Sequence, residues 1–376
     1  MNFENLGIPE TILETIEEKD FDEPTEIQED SIPAIIEGKD VIAESATGSG
    51  KTLAFATGII EKCDNSNHIN AVVLAPTREL AKQVSEMVRE LSDGNSINVV
   101  PIYGGVSIKP QINRLKSADV VVGTPGRMLD HLRRGTMDLS KVKIFVLDEA
   151  DRMLDMGFID DVEKIMRKTP KNKQNIFASA TVPREVKRLA NKYMKDKVVV
   201  SAEDYVDASK LKQVYYDIKP YLKLSLLVHI LKKEEREESD LSMIFCNTRR
   251  TVNFVERNLK KQGIKAQAIH GGFSQNQRDR AMDNFHSENV DVLVCTDVAA
   301  RGLDIQNVTH IYNYDIPNDS KQYIHRIGRT ARAGEKGKAI NLLSPPDHDN
   351  FRRINRDHDV NVDKVETPYV EQVNVK

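Results

Sequence analysis

Ile144-Phe145-Val146-Leu147 runs straight into Asp148-Glu149-Ala150-Asp151. Four apolar residues closed by acids read as a parallel strand buried on both faces, with polar chemistry gathered at its carboxyl end. Upstream stands Ala46-Thr47-Gly48-Ser49-Gly50-Lys51-Thr52, after the strand-like run ending at Ala43 and before a helical run from Leu53. Glycines at a helix start let backbone amides turn toward an anion, and the helix dipole adds to the attraction. Cleaving a nucleoside triphosphate needs both parts: a cradle for the phosphates and a carboxylate beside the metal that bridges them. In this reading Lys51 reaches the β- and γ-phosphates, Thr52 and Asp148 hold Mg²⁺, and Glu149, also at the metal, polarises the attacking water. Ser45 stands where the strict phosphate-loop pattern has glycine. A small-residue loop capping a helix, followed by an exposed acidic turn, is the plainer alternative.

The same rhythm extends in both directions. Asp40–Ala43, Ala71–Leu74, Val99–Ile102, Val120–Val122 and Asn175–Ala178 precede or follow that strand, and Met243–Cys246, Ala266–Ile269, Val292–Cys295, His310–Tyr312 and Ala339–Leu342 repeat it. Apolar runs of this length, separated by helical patterns, imply an α/β architecture of mainly parallel sheets with helices on both faces. At 376 residues the chain is long enough for two domains. A boundary is expected where strand-like Lys197–Val200 gives way to polar residues and then to a new strand, Gln213–Tyr216. That places a first domain over 1–205, a linker over 206–212, a second domain over 213–366 and a docked or frayed tail over 367–376. The charge run Lys232–Asp240 reads as a solvated helix end and loop.

Composition narrows the class. Hydrophobic residues are 39% and charged residues 30% of the chain, as in globular domains rather than disordered ones. No apolar stretch is long enough for a membrane span, and the start Met1-Asn2-Phe3-Glu4 lacks the basic and apolar regions of a signal peptide. Cys63, Cys246 and Cys295 lack metal-ligand spacing and read as free thiols in a reducing cytoplasm. The net charge of −4 hides an uneven distribution: residues 1–50 carry 14 acids against 2 Lys/Arg, residues 151–200 carry 12 Lys/Arg against 7 acids. Any nucleic-acid contact must therefore be local, made by loops and helix ends.

Taken together, these motifs resemble the DEAD-box family of ATP-dependent RNA helicases, from about Phe3 to the Gly337 region. The resemblance implies two tandem RecA-like domains, ATP and Mg²⁺ as cofactors, RNA as partner, and a cytoplasmic monomer. By that likeness Phe3, Phe21 and Gln28 form the adenine site, with Phe21 stacking on the base and Gln28 reading its edge. Thr25 and Gln28 also have capping-box spacing. Ser45, Ala46, Thr47, Gly48, Ser49, Gly50, Lys51 and Thr52 hold the phosphates. Ser179 and Thr181 of Ser179-Ala180-Thr181 bond the acids of the Asp148–Asp151 turn and, with Asp151 in the coupling set, couple hydrolysis to strand separation; a helix cap is the alternative. In Tyr323–Arg332, His325 joins the coupling set, and Arg329 and Arg332 are the arginines offered to the γ-phosphate. Asp304 is placed at the ribose.

The remaining strand-end loops resemble the family's RNA contacts: Thr77, Arg78, Gly105, Thr124, Gly126 and Arg127 in the first half, then Thr248, Arg249, Gly272, Gln275, Arg278 and Thr296 in the second. Hydroxyls, amides and arginines at helix starts hold phosphates without reading bases; singly, each is also an ordinary cap. The implied function is RNA-stimulated ATP hydrolysis driving local strand separation or ribonucleoprotein remodelling. An ATP-gated RNA clamp, a small-molecule phosphotransferase and a DNA-directed helicase are the competing classes.

Overall fold

The computed structural model describes residues 2–19, 21, 23–46, 48–64, 68–92, 96–202, 211–233, 241–287, 289–300, 308–318, 320–330, 336–358 and 362–373. Two compact units divide the chain, Met1–Asp204 and Tyr205–Lys376. The first holds seven strands: β1 (Val41–Glu44), β2 (Ala71–Leu74), β3 (Val99–Ile102), β4 (Val120–Gly123), β5 (Ile144–Leu147), β6 (Gln174–Ser179) and β7 (Val198–Ser201). They lie in the order β3-β4-β2-β5-β6-β1-β7, and every described pairing is parallel. Parallel neighbours need crossovers, and helices supply them on both faces.

Side chains alternate across such a sheet, so one strand feeds two cores. Val73, Ile144 and Val146 enter one apolar cluster, while Val72, Leu74, Phe145 and Leu147 enter the other. That is why these strands read as continuous apolar runs rather than as alternating ones. Where the helix Glu26–Ile36 crosses the helix Lys51–Lys62, the chain comes close enough for the first to brace the loop that starts the second.

The second unit contains β8 (Leu211–Asp217), β9 (Leu241–Phe245), β10 (Ala266–Ile269), β11 (Val292–Cys295), β12 (Val308–Asn313), β13 (Gly337–Leu343) and β14 (Asp363–Lys364). Their order, β10-β11-β9-β12-β13-β8-β14, repeats that of the first sheet strand for strand. The strand β14 has no counterpart among the expected runs, because two charged residues carry no apolar signal; only its pairing with Val214 and Tyr215 defines it. The described residues after it, up to Val373, are docked. Thr367 Oγ1 donates to the Asp217 carbonyl at 2.8 Å, Val370 packs against the apolar core, and Val373 N donates to Ser225 Oγ at 2.9 Å.

Cys246 and Cys295 are buried and Cys63 half-buried, all as free thiols. Burial pushes the Cys63 thiol up to about 12, which keeps it unreactive. Among the described residues no helix is long and apolar enough to cross a membrane. Most of the charge run Lys232–Asp240, and most of the expected linker, lie outside the described residues.

Candidate nucleotide and nucleic-acid sites

In the first unit the phosphate loop follows β1 and ends on Gly50, which has φ +94° and N-caps the helix Lys51–Lys62. Glycine suits this place because L side chains rarely adopt that φ, and a Cβ here would also press on Gln28 Nε2, 2.3 Å away. Gln28 is the brace. Its Nε2 donates to the Gly50 carbonyl at 3.1 Å and its Oε1 accepts from Thr25 N at 2.9 Å. The hydroxyl of Thr25 donates to the Ser49 carbonyl at 2.7 Å. The capping box implied by the spacing of Thr25 and Gln28 is thus present, and it grips the loop as well as starting its own helix. Gly48 has φ +89°, and Thr52 sits in the first turn. Thr47 lies outside the described residues.

Lys51 is 8% exposed. Its ammonium donates to the Ser45 and Ala46 carbonyls and lies 3.2 Å from Ser45 Oγ and 3.3 Å from Ser49 Oγ. The loop is therefore folded around a positive charge. Of the two rings expected at the base, Phe3 is buried in the core beside Leu6, whereas Phe21 is 38% exposed. Only Phe21 offers a ring face to a ligand in this arrangement.

The acidic turn closes the other side. Asp148 sits at the end of β5, its N–H bonded to the Leu74 carbonyl at 2.9 Å and its side chain nearly inaccessible. Burial raises its pKa to about 7; the neighbouring Glu149 charge pushes the same way and Lys51 opposes it. Glu149 occupies the left-handed region, with φ +48° and ψ +55°. Its Oε2 accepts from Arg152 Nη1 at 2.6 Å, which leaves Oε1 as the other acceptor of the carboxylate.

Asp151 ties this turn to the end of β6. Its Oδ2 accepts from both the N and the Oγ1 of Thr181 at 3.0 Å, and its N–H donates to Ser179 Oγ at 3.0 Å. Ser179 Oγ in turn donates to the Thr181 carbonyl at 2.6 Å, and the Ser179 carbonyl accepts from Ser45 N at 3.0 Å. Phosphate loop, acidic turn and Ser179-Ala180-Thr181 form one hydrogen-bonded piece.

Further along the same carboxyl edge, Thr77 N-caps the helix Arg78–Leu91, its Oγ1 accepting from Leu80 N at 3.3 Å. The Arg78 guanidinium lies 5.0 Å from the centre of the Tyr103 ring and fills the space that a side chain at Gly105 would need. Its Nε and Nη2 have no hydrogen-bond partner among the described residues. Thr124 N-caps the helix Pro125–Arg133, whose first turn carries Gly126 and Arg127.

Within the second unit the matching loops are built alike. Thr248 N-caps the helix Arg249–Lys261 and accepts from Thr251 N at 3.0 Å, and Arg249 lies against Gly271. Gly272 N donates to His270 Nδ1 at 3.1 Å, so the ring hydrogen sits on Nε2 and points to Asn253 Oδ1 at 3.0 Å. Burial, then the charge of Arg249, holds this histidine below its ordinary pKa. Gln275 opens the helix Gln275–His286, Arg278 Nη2 donates to the Ala299 carbonyl at 3.4 Å, and the Thr296 carbonyl caps the turn Asp297–Ala300.

In the arginine segment sequence reading missed the structural member. Arg326 is 1% exposed, and all five of its N–H donors have acceptors: Asp297 takes two, at 2.6 and 2.8 Å, and Asn313, Asn247 and the Asp315 carbonyl take the rest. Nothing in the spacing separates it from Arg329, which is 6% exposed one turn later, or from half-buried His325. Arg332 and Asp304 lie outside the described residues.

Comparison with known proteins identifies this arrangement. Residues 25–189 match the model of the DEAD/DEAH box helicase family, and residues 222–334 match the helicase conserved C-terminal domain. The ATP-dependent RNA helicase CshA of Limosilactobacillus reuteri is 41% identical over 364 residues, 95% of this chain and 72% of that protein. Saccharomyces cerevisiae Dbp5 bound to RNA and ADP BeF3 is 34% identical with a TM-score of 0.87, covering 97% of this chain and 96% of that one. A DEAD box protein from Methanococcus jannaschii is 41% identical with a TM-score of 0.58, over 97% of this chain and 99% of that one. The chain belongs to the DEAD-box family of ATP-dependent RNA helicases, which makes it an ATP-hydrolysing enzyme with RecA-like units.

Proposed function

We propose that the chain couples ATP hydrolysis to local, non-processive separation of RNA strands, by closing its two units around one triphosphate. The observation that carries this reading is the hydrogen-bonded continuity from Ser45 through Ser179 and Thr181 to Asp151. A change at the phosphate loop and acids thereby reaches the rest of the strand-end edge without passing through a flexible joint. Phe21 supplies the base with a stacking face, and Gln28 holds the loop while it meets the adenine edge. Lys51 turns from the loop carbonyls to the β- and γ-phosphates, and Arg329 and Arg332 come from the second unit.

The residues present fit Mg²⁺. Among the described residues no group of three or more His, Cys, Asp or Glu is placed to hold a metal ion by itself. The oxygen donors of Asp148 and Thr52, with Glu149 beyond, suit a hard cation that keeps waters and takes its remaining ligands from phosphate. An ion held by these residues would supply positive charge against the phosphates during cleavage. Glu149, anchored through Oε2 by Arg152, presents Oε1 to the attacking water and accepts its hydrogen bond.

RNA is held along the carboxyl edges of the two sheets by the threonine caps, the glycine loops, and Arg78, Arg127, Arg249 and Arg278, which suit phosphates rather than bases. The curated relatives are named RNA helicases, and Dbp5 has been seen with RNA and a nucleotide analogue. Both support RNA as the polymer.

Magnitude sets the scale of the motor. A swing of the open–closed equilibrium from 1:99 to 99:1 takes about 5.5 kcal/mol. At roughly 1.4 kcal/mol per stacking step, borrowed from DNA, that opens about four steps. Short duplexes are therefore the expected substrates. The test is ATP turnover and strand release on RNA duplexes of increasing length, with matched DNA and several salt concentrations. Release that falls off sharply with duplex length and needs RNA supports the reading. Length-independent release, or turnover indifferent to RNA, contradicts it, and tight ATP-dependent binding with slow turnover marks a clamp instead.

A further inference from the structure

Two loops that sequence reading treated as separate phosphate contacts meet on one buried side chain of the first unit, and a third reaches them through the Tyr103 ring. Gln111, on the helix Ile108–Leu115, is 6% exposed. Its Oε1 accepts from Arg127 Nη1 at 3.1 Å and pairs with His131 Nε2 at 3.1 Å, and its Nε2 donates to the Tyr103 carbonyl at 3.0 Å. Arg127 reaches back with Nη2 to the Val106 carbonyl at 2.9 Å, which pins both ends of the Gly104-Gly105 turn. On the far side of that turn the Tyr103 ring lies against Arg78.

A side-chain carbonyl oxygen only accepts, so His131 carries a hydrogen on Nε2; its Nδ1 lies 2.8 Å from the Thr136 hydroxyl, which also reaches the His131 carbonyl at 3.2 Å. His131 is completely buried, and burial, then the Arg127 charge, keeps it neutral. Two donors therefore converge on one oxygen without a second formal positive charge. A buried network in which the central members are satisfied is rigid, and removing its centre leaves several groups unpaired at once.

We propose that Gln111 is a positioning residue of the RNA track. Buried as it is, it touches no phosphate, but it fixes the spacing of the Thr77-Arg78 helix start, the Gly104-Gly105 turn and the Thr124–Arg127 helix start. The inference rests on the reading of these loops as a nucleic-acid track. It predicts a separation that ordinary core packing would not give: RNA affinity depends on Gln111, whereas nucleotide affinity does not.

The experiment uses the full chain with a fluorescent single-stranded oligoribonucleotide and a non-hydrolysable ATP analogue. Gln111→Leu keeps the volume and removes every polar partner. It should weaken RNA binding roughly tenfold and raise the RNA concentration for half-maximal ATPase stimulation by the same factor. KM for ATP and kcat at saturating RNA should stay within about twofold. Gln111→Glu keeps the acceptor for Arg127 and His131 but loses the donor to Tyr103, so its RNA affinity should fall between leucine and wild type. Unchanged RNA affinity in folded Gln111→Leu overturns the proposal. So does a parallel loss of RNA affinity, nucleotide affinity and melting temperature, which marks a general packing role. Should the leucine variant fail to fold, Gln111→Glu decides: weakened RNA binding with intact nucleotide binding supports the proposal, and wild-type RNA binding overturns it. A wild-type chain that binds no RNA under these conditions removes the track reading itself, and the inference with it.

Discussion

The two units share one strand order, yet the first residue of the helix after the first strand has opposite uses in them. Lys51 follows β1 and Lys223 follows the loop after β8; both are lysines, and both are more than nine-tenths buried. Lys51 sits in a glycine-containing loop among carbonyls and hydroxyls it can exchange for phosphate oxygens. Lys223 is tied to Asp347 Oδ2 at 2.8 Å and the Tyr314 carbonyl at 3.0 Å. Asp347 comes from the loop after β13, the position that Ser179-Ala180-Thr181 occupies after β6. In the first unit that loop binds the acidic turn; in the second it locks the lysine with an ion pair. Identical architecture therefore does not confer a nucleotide site, and the difference lies in a few side chains at one sheet edge.

The strongest way to break this comparison is Arg329→Ala. On the proposed mechanism the second unit, whose Lys223 is tied to Asp347, offers arginine instead, and losing it should cut turnover on the order of 10³-fold or more. Nucleotide binding to the first unit should survive, as equilibrium titration would show. Lost nucleotide affinity with normal turnover per bound ATP would mean that Arg329 belongs to binding rather than to catalysis.

A paired substitution sharpens the contrast between the lysines. Lys51→Met should abolish turnover while leaving the melting temperature near or above the wild-type value. Lys223→Met leaves Asp347 in a half-buried site without its partner and should lower stability by about 3 kcal/mol, measured in urea. Its turnover per folded molecule should not change. Equal effects of the two substitutions would erase the distinction.

Smaller, but of opposite sign in the two units, is the response to pH. Asp148 has its folded-state pKa raised by burial to about 7, above the ordinary 3.8. The folded protein thus holds an extra proton between those values, so this group's contribution to stability is complete at low pH and declines as pH rises toward 7. For Asp347, burial alone would raise the pKa, but bonds from Lys223 and Ser344 hold it below the usual carboxylate range. Its contribution is present above that range and is lost as pH falls through it. In melting curves of the nucleotide-free protein, Asp148→Asn should flatten the slope between about pH 4 and 7 and Asp347→Asn the slope in more acid solution. A wild-type slope in either variant would contradict the corresponding assignment.

The contrast also bounds what the amino-acid order could reveal. Strands such as Ala71–Leu74, Ile144–Leu147 and Val292–Cys295 stand where their apolar runs are, because a strand buried on both faces tolerates little else. The phosphate loop, the acidic turn and the cap at Thr25 and Gln28 were legible because local chemistry dictates each spacing. Arg326 was not, since its role depends on Asn247, Asp297 and Asn313, which converge only once β9 and β12 pair. Gln111 is a polar residue in an amphipathic helix and carries no local mark of the hub it forms. Lys223 shares a place with Lys51 that is visible only after the two sheets are laid strand on strand.

The central claim, that the second unit's arginine completes a site built by the first, is tested most directly in a variant that binds ATP without cleaving it. Glu149→Gln should bind a single-stranded oligoribonucleotide at least tenfold more tightly with ATP than without it. Adding Arg329→Ala should erase that difference while ATP itself still binds. If the double variant still tightens on RNA when ATP is added, the arginine does not join the two units and the account is wrong.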